Sequence, residues 1–271
     1  MTFALIVVGG YLLGSCPWGY WLVRIFRNAD VRQVGSGNIG GTNVWRTYGR
    51  SLGIPVIALD ALKGFVPALV GVTQVSHLCG IIAGGAAMLG HSRPIFLRFA
   101  RGGKMVATGA GVFCAVAIWA VLAAAIVWVV LFLATRYVSI ASLGAAVVIP
   151  VAAALIGYPT SVIVLGVVAG SAVVLLHRGN ISRLRSGTEH RMQFGALRRR
   201  LARCELGPEL AHRARALGEH VVVVDRLEVH LAREEEVAVG EAGMALDRLL
   251  QRDPDGVLDE ARLEVCMLDD E

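Results

Sequence analysis

Six long apolar stretches constrain this chain more than any other feature of its sequence. A helix that crosses a bilayer needs about 20 mostly apolar residues, and single windows of this kind cover residues 2–23, 54–75, 78–97, 138–157 and 159–176. A sixth stretch, residues 105–135, is too long for one upright helix and short for two. Of all residues 55% are hydrophobic and 17% charged, whereas soluble domains carry about 25% charged residues. The sequence therefore predicts an all-α polytopic membrane protein.

The positions of the basic residues predict how these stretches cross the membrane. Lys and Arg cluster in residues 24–50, 98–104, 136 and 178–185, and the opposite connections carry none. Because basic loops stay in the cytoplasm, the sixth stretch should cross twice, as two helices of about 15 residues that turn near Trp119. We expect a bundle of about seven transmembrane helices with the N-terminus outside. A bundle of five or six spans remains open.

The charge distribution divides the chain into two parts near residue 190. Residues 1–190 carry 14 basic and 3 acidic side chains, a net charge of +11, whereas residues 191–271 carry a net charge of −6. We predict a membrane domain at 1–190 and a small soluble, acidic C-terminal extension at 191–271, cytoplasmic and of uncertain fold. In the extension, residues 221–229 are typical of a strand and 241–252 of an amphipathic helix.

Composition also limits the ligands that we expect. The arginines lie between apolar stretches and do not form one run, so membrane lipids or anionic substrates are favoured and no nucleic acid is expected. The five cysteines are odd in number and include no C-x-x-C pair. We predict no metal site and no cofactor.

Three polar segments in the basic loops suit a phosphate group. The first, residues 34–46, combines glycines with neutral donors and one arginine: Gly35, Ser36, Gly37, Asn38, Thr42, Asn43 and Arg46. In the second, Gly102-Gly103-Lys104 precedes an apolar helix whose first turn includes Thr108. The third begins at His177 and includes Asn180. Taken singly, each segment is also typical of an ordinary solvated loop or a membrane anchor.

Polar residues inside the apolar stretches require a reason, since a charge at membrane depth costs about 2.5–3.5 kcal/mol. Asp60 and Lys63 share one helix face at i, i+3 spacing, where they either neutralise each other or take part in chemistry. His91 either contacts a substrate or is a packed, hydrogen-bonded histidine. Lys63 and Lys104 are the two lysines of the chain, beside 24 arginines, which suggests that a compact ammonium is needed at both positions.

Taken in order, these segments resemble the acyl-phosphate-dependent glycerol-3-phosphate acyltransferases, the PlsY family. The resemblance runs from Y-L-L-G-S-C-P-W-G-Y at residue 11 through G-S-G-N-I-G-G-T-N-V-W-R, L-D-A-L-K-G, L-G-H, G-G-K-M-V-A-T and R-Y-V-S-I-A-S to H-R-G-N-I-S-R-L-R-S-G-T-E. It covers about residues 1–190. The chain departs from the family pattern at Gly41, Ser92, Arg93 and Met105, and it has one extra residue after Phe99.

The resemblance implies a fold, a reaction and a site. It implies a seven-helix bundle in the bacterial inner membrane with its site facing the cytoplasm. The reaction moves a fatty acyl group from acyl phosphate to the 1-hydroxyl of glycerol-3-phosphate, giving lysophosphatidate and phosphate, the first step of phospholipid synthesis. By motif match, the catalytic residues would be Ser36, Arg46, Lys104, His177 and Asn180. The substrate-binding residues would be Gly35, Gly37, Asn38, Thr42, Asn43, His91, Gly102, Gly103, Thr108 and Ser142.

The residues themselves make this chemistry plausible. An acyl phosphate already has a good leaving group, so orientation and charge neutralisation by Arg46 and Lys104 supply most of the catalysis. A substrate phosphate oxygen would accept the hydroxyl proton. The alternative function is a secondary transporter for an anionic solute, in which Asp60 and Lys63 mark an ion path.

Overall fold

The fold is described here from a computed structural model, and the description covers residues 1–192. The strand predicted at 221–229 and the helix predicted at 241–252 lie outside the described residues. Within residues 1–192 every regular element is helical. Ten α-helices follow one another along this part of the chain: α1 (Thr2–Gly14), α2 (Trp18–Arg27), α3 (Gly41–Tyr48), α4 (Arg50–Gln74), α5 (His77–Ser92), α6 (Val106–Val116), α7 (Ile118–Thr135), α8 (Val138–Ile156), α9 (Thr160–Leu176) and α10 (Arg178–Arg185).

Two predicted helices end earlier than the apolar windows indicated, and proline explains both differences. The window 2–23 is divided by a short break before α2, where Pro17 lacks the N–H that would continue α1. The window 78–97 ends with α5 at Ser92, because Pro94 two residues later restricts the preceding backbone to an extended conformation. A single 3₁₀ turn, Ile95–Leu97, follows.

Residues 105–135 form two helices that meet at Ala117. The predicted division beside Trp119 is therefore present, but the prediction of two helices of equal length is wrong, since α6 has 11 residues and α7 has 18. Ala117 has φ −158° and ψ 64°, which is not helical. The neighbouring Trp119 donates its backbone N–H to the hydroxyl of Tyr158 at 3.3 Å.

The helices form two groups. In the first, α4 packs on α3, α5 and α6, and α1 packs on α4 and α5. In the second, α8 packs between α7 and α9. Contacts between the groups are fewer and run through α5, α6, α7 and α9. A cavity lies between the two groups, and it is described below.

Glycines allow very close helix packing in the first group. A Cβ atom at Gly14 would lie 2.2 Å from the backbone oxygen of Ala87, and one at Gly111 would lie 1.9 Å from that of Ala61. No side chain fits at these distances, so α1 meets α5, and α6 meets α4, backbone to backbone. Small residues are favoured at such contacts in membrane proteins, where packing replaces the hydrophobic effect between helices.

The outer surface of the bundle is apolar. Large exposed side chains include Ile126, Leu133, Leu155 and Leu175, which are 66%, 68%, 83% and 70% exposed. Within residues 1–192, four helical segments are long and apolar enough to cross a membrane, with α1 and α2 forming one of them. A fifth is added if α9 and α10, which bend by 55°, form one broken span. The total of seven crossings stays a prediction.

Candidate active site

The first basic loop is held together by the side chain of Asn43. Its amide nitrogen donates to the carbonyl oxygens of Val31, Val34 and Asn38 at 3.3, 3.1 and 2.9 Å. Its amide oxygen accepts the backbone N–H of Ser36 at 2.9 Å. Both polar atoms of this buried side chain are thus engaged within the loop. Asn43 therefore shapes the loop rather than offering a free donor to a ligand.

The predicted glycines of this loop are required by its backbone. Gly35 and Gly37 have φ values of +56° and +66°, a region that side chains disfavour. A Cβ atom at Gly35 would also lie 2.4 Å from the amide oxygen of Asn43. These two glycines let the loop turn tightly and present Ser36 between them.

Helix α3 begins directly after this loop and carries Arg46, a half-buried cation. Its N-terminus leaves backbone N–H groups free beside Thr42. One turn later, Arg46 donates from Nη2 to the backbone oxygen of His190 at 3.1 Å, while its Nε is buried without a partner within residues 1–192. Burial lowers the pKa of Arg46; the charge of Glu189 opposes this shift and that of Arg183 adds to it. Its guanidinium stays charged and retains donors for an anion.

The Gly102–Lys104 turn is hydrogen-bonded to the last two residues of α5. The backbone N–H groups of Gly102 and Gly103 donate to the carbonyl oxygens of Ser92 and His91, each at 3.0 Å. The side chain of Asn38 donates to the Gly102 oxygen at 3.1 Å, which ties the turn to the first loop. The first two predicted motifs therefore form one connected structure.

Gly103 lies so close to His91 that the position tolerates no side chain. A Cβ atom there would lie 2.0 Å from His91 Nε2, and His91 is buried with its Nδ1 3.6 Å from Asp60. We expect Gly103→Ala to displace the turn that carries Lys104 and to lower kcat/KM by about 100-fold, since misplacing a catalytic group by about 1 Å has effects of this size. Steady-state kinetics on the purified variant measures the change.

Gly85→Ala is the matched control for this substitution. A Cβ atom at Gly85 would lie 3.5 Å from Leu165 Cδ1, an ordinary contact. The control should keep the unmutated rate. Equal activity in the two variants would show that the position of the turn does not matter for turnover.

The third motif reaches Lys104 through Asn180. Lys104 Nζ donates to Asn180 Oδ1 at 2.7 Å, and Asn180 Nδ2 donates to Glu189 Oε1 at 2.7 Å. The same carboxylate accepts the hydroxyl of Ser139 at 2.9 Å and the Nε of Arg183 at 2.7 Å. Asn180 is thereby fixed with its oxygen toward the ammonium.

Electrostatics in this network favours an additional anion. Burial lowers the pKa of Lys104 to about 8; Glu189 opposes the shift, while three arginines, Arg183, Arg46 and Arg101, add to it. Burial also tends to raise the pKa of Glu189, but hydrogen bonds from Asn180, Ser139 and Arg183 outweigh it, so this pKa lies below its usual value. Glu189 is therefore ionised, yet it leaves an excess of positive charge around Lys104.

His177 follows the last residue of α9 and is oriented by that helix. Its Nδ1 lies 2.8 Å from the carbonyl oxygen of Val173. A carbonyl oxygen only accepts, so Nδ1 carries the hydrogen in the neutral ring and Nε2 is an acceptor. Within the described residues Nε2 has no hydrogen-bond partner.

The polar groups meet in a cavity of about 400 Å³ between the two helix groups. Ten of the predicted site residues line it: Ser36, Asn38, Thr42, Asn43, Arg46, His91, Lys104, Ser142, His177 and Asn180. The other five, Gly35, Gly37, Gly102, Gly103 and Thr108, do not line it. The four glycines support the loops, and Thr108 is fully buried with a hydroxyl that has no partner among residues 1–192.

Of the lining residues with polar side-chain groups, sequence analysis did not place four in the site: Asp60, Trp128, Ser139 and Glu189. Asp60 was paired with Lys63 alone, and the other three had no predicted role. Glu189 had one available signal, because it is one of three acidic residues within residues 1–190. Trp128 had none, since an aromatic residue in an apolar helix is ordinary.

Comparison with known proteins places this chain in a family. The sequence model of the family described as "Glycerol-3-phosphate acyltransferase" matches residues 4–187. The chain belongs to this acyltransferase family. Glycerol-3-phosphate acyltransferases of Geotalea daltonii and Aquifex aeolicus are 46% and 41% identical to it, over 68% and 69% of this chain and 95% and 97% of their own.

Two solved structures extend the comparison to the fold. They are PlsY, an integral membrane glycerol 3-phosphate acyltransferase, in a glycerol 3-phosphate form and a lysophosphatidic acid form. The first superposes with a TM-score of 0.68 at 40% identity and the second with 0.66 at 38%; each comparison covers 71% of this chain and 96% of the other. The prediction of an all-α membrane protein of the PlsY family is therefore confirmed. Family membership favours the acyltransferase over the transporter.

Proposed function

We propose that this acyltransferase moves a fatty acyl group from acyl phosphate to the 1-hydroxyl of glycerol-3-phosphate, giving lysophosphatidate and inorganic phosphate. The observation that carries the proposal is a single cavity lined in part by charged and polar side chains and in part by apolar ones. Its lining includes Arg46 and Lys104 with neutral donors at what we call the polar end, the carboxylates of Asp60 and Glu189, and apolar side chains over most of the remainder. Both substrates are anionic, and one has a long apolar chain, so the cavity suits the pair.

The polar end offers donors for two phosphate groups. On one side lie Ser36, Thr42 and Arg46, whose side chains retain donors that bind no other residue within 1–192. On the other side lie Lys104 and Asn180, whose Nδ2 has a second hydrogen besides the one that it donates to Glu189. The ammonium has three N–H donors and uses one on Asn180, so two remain for phosphate oxygens. Lys104 is therefore placed to contact both substrates.

The apolar part of the cavity suits the acyl chain, and we call it the apolar arm. Its walls come from α6 to α9 and include Phe113, Ala124, Trp128, Ile149 and Ala169. Ser139 and Ile149 both line the cavity on α8, and ten residues of helix span about 15 Å. An acyl chain lying there would place its carbonyl carbon near the polar end, beside the phosphate donors.

The proposed reaction proceeds by direct acyl transfer. The 1-hydroxyl oxygen of glycerol-3-phosphate attacks the acyl carbonyl carbon, and the bond from that carbon to the phosphate oxygen breaks. The hydroxyl proton passes to a substrate phosphate oxygen. Neutral His177 accepts at Nε2, so it orients glycerol-3-phosphate through the hydroxyl that does not react, while Lys104 and Arg46 stabilise the charge that develops on oxygen.

The identity of the acyl donor is the sharpest test. Purified protein is supplied with glycerol-3-phosphate and, in separate reactions, palmitoyl phosphate, palmitoyl-coenzyme A or a palmitoyl carrier protein. We expect lysophosphatidate to form with palmitoyl phosphate, with one phosphate released per turnover. Turnover with a thioester donor and none with palmitoyl phosphate would overturn the proposal.

We also propose that residues 1–190 form the acyltransferase domain in the bacterial inner membrane, with its site facing the cytoplasm. Support comes from the family match, which ends at residue 187, and from the basic residues around the site. The extension at 191–271 is proposed to be a separate soluble domain. A chain that ends after Met192 should retain turnover, and loss of turnover would contradict this division.

Labelling of cysteines introduced near Arg46 in sealed inverted vesicles tests the orientation of the site. Labelling from the lumen alone would contradict a site that faces the cytoplasm.

A further inference from the structure

Two serines one turn apart on α8 use their hydroxyl groups in opposite ways. Ser139 donates to Glu189 Oε1 at 2.9 Å. Ser142 instead accepts, since Trp128 Nε1 of α7 donates to its Oγ at 3.3 Å. Both serines are buried, each 3% exposed, and both line the cavity. The role of Trp128 here is a feature that neither the motifs nor the proposed mechanism explains.

The direction of the Trp128 hydrogen bond leaves the Ser142 proton available. An indole N–H only donates, so Ser142 Oγ is the acceptor and its own O–H must donate elsewhere. Hydroxyl groups in helices commonly donate to the carbonyl of residue i−4, and Thr73 and Thr135 of this chain do so. Within residues 1–192, Ser142 makes no such bond. Its proton is left for a group that enters the cavity.

Trp128 connects the apolar arm with the polar lining of the cavity through Ser142, and we call this point the junction. Its ring stacks on Phe132, one turn further along α7, with centroids 5.0 Å apart and an interplanar angle of 26°. The indole also lines the apolar arm, while its Nε1 reaches Ser142. Under the proposed function, the phosphate lies at the polar end and the acyl chain in the apolar arm, so the acyl–phosphate linkage lies at this junction.

We propose that Trp128 is a positioning residue for the acyl donor. By occupying one lone pair of Ser142 Oγ, the indole N–H turns the Ser142 hydroxyl so that it donates to an oxygen of the acyl phosphate. A hydroxyl group that accepts one hydrogen bond is also polarised and becomes a stronger donor. This proposal rests on the proposed function, because it takes acyl phosphate as the occupant of the junction.

Trp128→Phe tests the proposal, because it removes the N–H and keeps an aromatic ring against Phe132. We expect kcat/KM for palmitoyl phosphate to fall about tenfold, the effect of one oriented hydrogen bond. The KM for glycerol-3-phosphate and the thermal midpoint should stay within about twofold and about 2 °C of the unmutated values, a split that a purely structural role would not produce. Trp119→Phe, on the exposed part of the same helix, should leave all three quantities unchanged.

A double-mutant cycle with Ser142→Ala shows whether Trp128 acts through Ser142. In the Ser142→Ala background, Trp128→Phe should lower kcat/KM by less than about twofold. An unmutated rate in Trp128→Phe, or a tenfold loss that persists in the Ser142→Ala background, would overturn the proposal. Failure of the proposed function is distinguishable, since the unmutated protein would then make no lysophosphatidate from palmitoyl phosphate.

Discussion

Replacing Lys104 with methionine should lower kcat/KM by at least about 1000-fold while the bundle stays folded. The methionine keeps most of the apolar stem and removes the ammonium, whose Nζ lies 2.7 Å from Asn180 Oδ1. Preorganised donors in a site of low dielectric typically contribute about 100- to 1000-fold each in rate, and we propose that Lys104 contacts both substrates. Phosphate release from palmitoyl phosphate in the presence of glycerol-3-phosphate measures the loss.

Arg101→Met is the matched control for the Lys104 variant. Arg101 is three residues away, is exposed and does not line the cavity. Its removal should change kcat/KM by less than about threefold. A thermal midpoint close to that of the unmutated protein would show that Lys104→Met is folded. Full turnover in folded Lys104→Met would show that Lys104 is not part of the site.

The same residue predicts how activity depends on pH. Burial lowers the pKa of Lys104 to about 8, so the ammonium form predominates at neutral pH and is lost as the pH rises through about 8. Since kcat/KM reports the free enzyme, it should fall on the alkaline side with a midpoint near 8. Bound anions raise the pKa of the ammonium, and the midpoint for kcat should therefore lie higher. In Lys104→Arg the decline of kcat/KM at alkaline pH should move to a higher pH. An unchanged midpoint would show that another group causes this decline.

The sequence predicted the membrane fold and most of the site because both leave local signals. Apolar windows mark helices directly, although the windows 2–23 and 78–97 extended past Pro17 and Pro94, before which α1 and α5 end. Ser36, Arg46 and Lys104 lie in short polar segments that contrast with their apolar surroundings. Each segment alone was ambiguous. All three line one cavity, which follows from the packing of the helices. This observation supports a common site more strongly than any single motif does.

The network behind these residues was not predictable, because its partners are distant along the chain. Arg46 meets the backbone of His190, 144 residues away, and Ser139 meets Glu189, 50 residues away. Hydrogen-bond partners of this kind follow from tertiary packing, which composition and spacing do not encode.

The Asp60–Lys63 pair should dominate the stability of the first helix group. Lys63 Nζ lies 2.7 Å from Asp60 Oδ1 and donates to the carbonyl oxygen of Cys16 at 2.8 Å, which ties α4 to the break between α1 and α2. Both side chains are almost fully buried. Removing one partner leaves an uncompensated buried charge, so Lys63→Met and Asp60→Asn should each lower the free energy of unfolding by about 3–5 kcal/mol. Thermal or denaturant unfolding in detergent micelles measures both.

The double variant Asp60→Asn/Lys63→Met shows whether the two residues stabilise the fold as an ion pair and whether Asp60 contributes to turnover. It contains no unpaired charge, so its loss of stability should be well below the sum of the two single losses, because replacing both members of a buried pair is often nearly neutral. The exposed pair Asp30–Arg32 gives the surface comparison, and Asp30→Asn should cost at most about 1 kcal/mol. Asp60 also lines the cavity 3.6 Å from His91 Nδ1, so the folded double variant further reports whether this carboxylate contributes to turnover. Strictly additive losses would mean that the two charges do not stabilise each other, and Lys63 would then act through Cys16 alone.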